Sequence, residues 1–301
     1  EENIILKLSS GYNIGVNRKK IKSIKIMKRY KEKTEKLPKV KHKIGLKNVV
    51  ILHTGGTVAS KVSYETGGVV PAFSPEEIVN KFPEIKEIVN INSRLIRNMW
   101  SGDMNFKHHN LIAKEILKES KNVDGIIVTH GTDTMHYTSA ALSFILEDLN
   151  IPVILVGSQR SSDRGSTDAA LNLICACQFI AKTDFADVAI CMHENMSDDN
   201  CVILPGLKTR KLHTSRRDAF KAINSKPWAI VNKNGSITFL KDDYKKIGER
   251  KSRLRLIKDQ KIGILRSHPN MKAIEVRNYS NFNGLILEGT GLGHFPVTKR
   301  D

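Results

Sequence analysis

Residues 48–57 read Asn48-Val49-Val50-Ile51-Leu52-His53-Thr54-Gly55-Gly56-Thr57. The apolar run Val49 to Leu52 has the length of a short buried strand, and the glycine pair behind it lets the chain turn sharply. The same pattern recurs where Gly125 to Val128 runs into Gly131 and Val153 to Val156 runs into Gly157. Amphipathic stretches of helical length occupy Phe106 to Ser120, Thr134 to Leu149 and Asp168 to Lys182, the last opening on Asp168 as N-cap. Strands alternating with helices predict βαβ units, hence an α/β fold with a mostly parallel sheet covered on both faces. Ligands of such sheets sit beyond the carboxyl ends of the strands, so the polar residues there are the ones to weigh for chemistry.

The chain has 301 residues, 40% of them hydrophobic, enough to bury a large core and too many for a disordered chain. No window holds the roughly 18 to 20 apolar residues of a membrane-spanning helix, and the N-terminus lacks the segments of a signal peptide, so the sequence reads as soluble and intracellular. It starts at Glu1 with apolar alternation already under way at Ile4, Ile5 and Leu6, which reads as a chain cut from something longer. Cys175, Cys177, Cys191 and Cys201 form no zinc-type pair and lie in apolar runs, as reduced buried thiols do. The formal net charge is +18. Its placement matters more than its size: Asn17 to Lys47 holds 14 Lys/Arg and 2 Asp/Glu, a net of +12, and Lys241 to Lys261 holds 9 and 4, a net of +5.

Residues 3–16 alternate apolar and polar about a Ser-Gly turn, as a β-hairpin or the end of a small barrel would. The organisation that follows is a β-barrel remnant at 1–30, a basic linker at 31–47, an α/β domain at 48–240, and a linker with the start of a second, smaller and incomplete α/β domain at 241–301. In that last part Ile262 to Leu265 and Leu285 to Leu287 restart the strand pattern.

Four polar motifs fall at strand ends and turns. In Thr54-Gly55-Gly56-Thr57 the glycines leave the Thr57 hydroxyl facing the cleft, where it would need an activating neighbour to act as a nucleophile. In Thr129 to Thr134 (THGTDT), Asp133 or Thr132 could simply cap the next helix, which explains one of these residues but not all three polar groups. Beside a helix N-terminus an Asp can also hold an amine while free N–H groups hold a carboxylate. Lys211 opens a cation-rich segment, Lys211 to Asp218, and serves as a base or relay or as part of a solvated loop. Ser101-Gly102-Asp103-Met104 by itself is only a cap.

Together these motifs resemble the bacterial-type L-asparaginase and glutaminase family, with Thr54 to Ala59 (TGGTVA) matching its first signature and Gly131 to Met135 (GTDTM) its second. The resemblance spans about residues 48–298. It implies Thr57 as nucleophile and Thr132, Asp133 and Lys211 as a second trio of hydroxyl, carboxylate and amine. It further implies Ser101 at the substrate carboxylate, Tyr64 as a lid tyrosine, and Gly56, Asp103, Gly157 and Ser158 around the substrate. No metal is implied, and no HExxH-like spacing is present.

Gly11 to Gly15, Asn98 to Ser101, Gln159 to Gly165, His213 to Phe220 and Glu288 to His294 narrow the resemblance to the D-subunit family of archaeal glutamyl-tRNA(Gln) amidotransferases. That family implies a small barrel before an asparaginase-like body, and glutamine hydrolysis (or asparagine hydrolysis) that supplies ammonia to a partner, the E subunit. It implies no cofactor in this chain, ATP and Mg used by the partner, Glu-tRNA(Gln) in the complex, a homodimer within a heterotetramer, and a cytoplasmic setting without membrane. It also implies that the chain is truncated at both ends, and that His294 completes a site across a subunit interface. Two other readings compete: a free-standing cytosolic asparaginase or glutaminase, and a catalytically inert RNA-binding protein suggested by the +12 stretch.

Overall fold

The computed structural model describes residues 3–7, 13–25, 42–56, 58, 60–62, 69–71, 75–160 and 166–297. Thr57, Tyr64, the Ser10-Gly11 turn and residues 26–41 of the basic stretch lie outside the described residues. The chain divides into two units, residues 1–36 with 63–68, and residues 37–62 with 69–301. In the first, Asn3–Lys7 pairs antiparallel with Asn13–Asn17, placing Asn3 opposite Asn17 and Lys7 opposite Asn13. The Asn17 side chain then accepts the Lys19 N–H at 3.0 Å and caps a short 3-10 turn, Arg18–Lys20.

The second unit is built on eight strands: β1 (Asn48–His53), β2 (Asn90–Leu95), β3 (Gly125–Thr129), β4 (Val153–Val156), β5 (Val188–His193), β6 (Asn200–Pro205), β7 (Ala229–Asn232) and β8 (Ile237–Phe239). They lie in the order β8-β7-β6-β5-β4-β3-β1-β2. The strands from β2 to β5 are parallel. The last three continue the sheet antiparallel, so the sheet is mixed, with parallel pairings in the majority as the sequence predicted. Antiparallel neighbours need only short connections, and the six residues between β5 and β6 leave no room for the helix that announces a parallel strand.

Helices α1 (Phe106–Glu119), α2 (Met135–Ile145) and α3 (Ala169–Lys182) cover the sheet. Alternate strand residues feed two cores, which is why the parallel strands read as unbroken apolar runs. Val49, Ile51, Ile127 and Ile154 pack with Leu173, Phe179 and Ile180 of α3. Val50, Leu52, Ile126 and Val128 face the other way, into a cluster with Ile112 and Ile116 of α1 and Leu142 of α2. Helix α2 stops four residues short of the predicted Leu149, because Leu146–Glu147 pairs antiparallel with Arg253–Leu254 and Asp148 adopts a left-handed φ of 53°. Strand pairing there overrides the helical pattern.

Beyond the sheet, Ile262–Arg266 pairs parallel with Gly284–Glu288 through the short helix Ala273–Arg277, the strand restart predicted from the sequence. The four cysteines are free and buried, and burial pushes the Cys177 thiol up, away from thiolate chemistry. No helix among the described residues is long and apolar enough to cross a membrane.

Candidate active site

Strand order reverses between β1 and β3: the chain leaves β1 toward β2 on one side and leaves β3 toward β4 on the other. In open α/β sheets this switch point is where ligands bind. The two carboxyl ends are laced together there, the Thr54 N–H and hydroxyl both donating to the Thr129 carbonyl at 3.1 and 2.9 Å. Gly55 and Gly56 have φ of 123° and 84°, a backbone that side chains strain to adopt. A Cβ on Gly56 would stand 2.8 Å from the Gly131 nitrogen, so the two signature turns touch backbone to backbone.

Two further turns close on this point. Gly131 approaches Ser101 so nearly that a Cβ would come within 2.7 Å of the serine Cβ, and the Thr134 hydroxyl donates to the Ser101 carbonyl at 2.7 Å. Gly157, after β4, lies against the Thr132 methyl, 2.8 Å from where a Cβ would sit. Lys211 arrives from the hairpin of Thr209–Lys211 with Phe220–Ala222, in register opposite Phe220. Its Nζ donates to Thr132 Oγ1 at 2.9 Å and to Asp133 Oδ1 at 2.7 Å. The lysine side chain is 8% exposed and the aspartate 60%, so the amine is held inside while the carboxylate stays open to a ligand. His136, the second residue of α2, is held below its ordinary pKa by burial and then by Arg210 and Lys211, an imprint of the cationic surroundings expected for this lysine.

Of the residues singled out by sequence, the structure thus gathers Gly56, Ser101, Thr132, Asp133, Gly157 and Lys211 around one switch point. Thr57 and Tyr64 fall outside the described residues. The Ser158 hydroxyl is buried and turned toward Asp168 at 2.9 Å. Asp103 and His294 are exposed, and among the described residues neither side chain bonds to the Thr132 cluster. The capping alternatives are not taken: Thr132 and Asp133 both face Lys211, and Thr134 at the α2 N-cap makes no side-chain cap. Asp168 likewise does not cap α3. Among the described residues no group of three His, Cys, Asp or Glu could hold a metal ion.

The residues that sequence reading missed are those that hold this cluster in place. Asp168, fully buried, accepts from the Gln159 and Arg160 N–H groups at 2.9 and 3.0 Å, fixing the turn after β4. Gln159 in turn accepts the Thr132 hydroxyl at 3.0 Å. Below the site runs a histidine chain. His130 Nδ1 faces the Gly131 carbonyl at 2.8 Å, and a carbonyl only accepts, so the proton sits on Nδ1. Burial lowers the His130 pKa to about 4, leaving Nε2 as an acceptor for the Thr138 hydroxyl at 2.8 Å. The Thr138 oxygen then accepts from His109 Nε2 at 3.2 Å.

Three imidazoles kept neutral by burial make the fold acid-sensitive. His53 is lowered to about 3, His109 to about 4 and His130 to about 4. All lie below the unfolded value near 6.5, so the unfolded state takes up protons first, and stability is whole above that pH and lost as pH falls toward 4. For His130 alone the loss by pH 4 is on the order of 3 kcal/mol. Melting temperature measured from pH 7.5 to 4 should therefore drop steeply below 6.5, and a His130→Gln variant should show a shallower slope. A flat profile would contradict the neutral-histidine assignment.

Comparison with known proteins settles the family. The description "Asparaginase, N-terminal" matches residues 48–245, which is most of the sheet-bearing unit. The D subunit of the glutamyl-tRNA(Gln) amidotransferase from Pyrococcus horikoshii is 45% identical over 300 residues, covering 98% of this chain and 68% of that protein. The chain belongs to the asparaginase family, in its amidotransferase D-subunit branch. The corresponding D subunit from Methanopyrus kandleri is 40% identical over 305 residues, 98% of this chain and 67% of that one. The description "GatD N-terminal domain" covers residues 1–27, where the hairpin of the first unit lies. Among solved structures, the thermostable L-asparaginase from Thermococcus kodakarensis superposes with a TM-score of 0.75 at 29% identity, over 84% of this chain and 74% of that one. The L-asparaginase I of Vibrio cholerae gives 0.72 at 28%, over 84% and 75%. Asparaginase-family membership makes the chain an amidohydrolase.

Proposed function

We propose that this chain is the glutaminase component of a tRNA-dependent amidotransferase, hydrolysing glutamine so that the ammonia released converts Glu-tRNA(Gln) to Gln-tRNA(Gln) on a partner, the E subunit. The observation that carries the reading is the Lys211–Thr132–Asp133 cluster at the β1/β3 switch point, in a chain 45% identical to an amidotransferase D subunit along nearly its whole length.

Chemistry follows from what each group can do. The substrate carboxylate binds at Ser101 and the free N–H groups before α2, where the helix dipole favours an anion. Asp133, open on one side, takes the α-ammonium. Thr57 attacks the side-chain amide carbon, and its proton leaves by way of Thr132 and Lys211. The C–N bond breaks, ammonia departs with a proton, and water hydrolyses the resulting ester to glutamate and restores Thr57. Backbone N–H groups about Thr57 and Thr132 stabilise the oxyanion, a contribution of about 3 to 4 kcal/mol per donor in such sites. Tyr64 closes over the substrate, Gly56, Gly157 and Ser158 line it, and Asp103 and His294 complete it, His294 across a homodimer interface within a heterotetramer.

In this reading residues 1–30 belong to a small β-barrel domain, 31–47 form a basic linker that helps docking in the tRNA complex, 48–240 carry the chemistry, and 241–301 belong to a smaller C-terminal domain. The chain needs no cofactor of its own, ATP and Mg act at the partner, and the setting is the cytoplasm. The test is ammonia release from glutamine by the full chain, alone, with the partner, and with partner and charged tRNA. Stimulation by both is the expected result. A steady rate independent of them would instead indicate a free-standing asparaginase or glutaminase, and no release in any arm an inert RNA-binding protein.

A further inference from the structure

One polar side chain on the Thr132 hydroxyl has no part in the reaction as written. Thr132 Oγ1 has a single proton and two lone pairs. In the resting arrangement the Lys211 amine donates to Thr132 Oγ1, so it occupies one lone pair, at 2.9 Å. The threonine proton goes to Gln159 Oε1, at 3.0 Å. What remains is one lone pair for a group in the cleft.

The Gln159 carboxamide is held one way round. Its Nε2 donates to the Arg216 carbonyl at 3.0 Å, an acceptor that a flipped amide would meet with its own oxygen. Its backbone is equally fixed, because the Asp168 carboxylate binds the N–H groups of both Gln159 and Arg160. Arg216 lies in the loop 212–219 of the hairpin that delivers Lys211. That loop is pinned in its turn: His213 Nδ1 accepts the Ser215 and Arg216 N–H groups at 3.1 Å each, and the Arg216 guanidinium grips Asp218 at 2.8 and 3.0 Å. The path Thr132, Lys211, hairpin loop, Arg216 carbonyl, Gln159 and back to Thr132 is a closed ring.

We propose that Gln159 is a positioning residue for the hydrolysis: its carboxamide, oriented by the Arg216 carbonyl, fixes the rotation of the Thr132 hydroxyl and ties it to the loop that carries Lys211. The inference rests on the reading of the site given above. The stretch that opens on Gln159 marks the family resemblance but gives the glutamine no role, and its role here follows from which atom faces which.

The test is glutamine-hydrolysis kinetics of the full chain with Gln159→Leu and Gln159→Glu, folding being checked by thermal melts. Leucine fills a similar volume and removes both hydrogen bonds. It should lower kcat about 10- to 30-fold with KM within about twofold, since general acid–base geometry contributes factors of this size and larger. Glutamate gives a signature that mere support of the fold would not. Ionised, it still accepts from Thr132 but opposes the Arg216 carbonyl; protonated, its O–H donates to Arg216 while its C=O accepts from Thr132, restoring both bonds. The ratio of Gln159→Glu to native kcat should rise severalfold as pH falls from 7 to 5. A Gln159→Leu kcat within twofold of native, or a Gln159→Glu ratio flat with pH, overturns the proposal. If Thr132→Ala, assayed alongside, keeps native turnover, it is the reading of the site that fails.

Discussion

A Lys211→Met chain should fold and melt close to the native temperature yet hydrolyse glutamine about a thousandfold more slowly. Methionine keeps the unbranched stem in a pocket where the lysine side chain is 8% exposed, so packing changes little. Asp133 loses its 2.7 Å partner but is 60% exposed, and water takes over at a cost of at most about 1 kcal/mol. What disappears is the donor on Thr132 Oγ1, the one titratable group bonded to that hydroxyl among the described residues. Positioned proton transfer contributes about 10² to 10⁴ in rate, and the loss should appear in kcat. A lysine that served only to orient Asp133 would behave differently, raising KM through the α-ammonium contact and sparing kcat. Lys211→Arg should not rescue, because a guanidinium does not give up its proton at neutral pH and its planar fork cannot reach Thr132 and Asp133 as the single Nζ does. Glutamine-driven amidation in the complex should fall with hydrolysis, whereas amidation fed with free ammonia should persist. Loss of both would overturn the division of labour between this chain and its partner.

What the sequence disclosed and what it concealed follow from the range of the interactions involved. The parallel strands and the two threonine-glycine turns were legible because their signals are local: a strand buried on both faces must be continuously apolar, and a backbone that turns into a ligand site needs glycine. The antiparallel half was not, since β6 to β8 follow short connections that carry no helix to announce them. The end of α2 was misplaced because Leu146 and Glu147 pair with residues more than a hundred positions later. In the site, Thr132, Asp133 and Lys211 were found through a resemblance to known motifs; spacing alone could not bring together residues 79 positions apart. Gln159 and the histidine chain were missed for the same reason, as each is defined by partners contributed by other elements.

Asp168 shows how a local rule can name the right residue for the wrong reason, and the two accounts differ in a measurable way. An aspartate before a helix reads as an N-cap, and a cap replaced by Ala costs about 1 kcal/mol and by Asn almost nothing. The structure turns the side chain backward, onto the Gln159 and Arg160 N–H groups, the Ser158 hydroxyl at 2.9 Å and the Asn172 amide at 3.3 Å. All four are donors, and Asp168 is fully buried. Asp168→Ala would take the acceptor from two part-buried backbone N–H groups, those of Gln159 and Arg160, at about 1 to 3 kcal/mol each before any relaxation. The expected loss is about 2 to 5 kcal/mol in chemical denaturation, from those unmet donors. Asp168→Asn is the sharper comparison: its volume matches, but its amide puts a donor against donors, so it should destabilise by about 2 kcal/mol or more where a cap would tolerate it. Both variants should also free Gln159 and lower kcat at temperatures where the chain is still folded. If Asn proves neutral and Ala costs only about 1 kcal/mol, Asp168 is a cap after all, and the turn after β4 owes its position to something else.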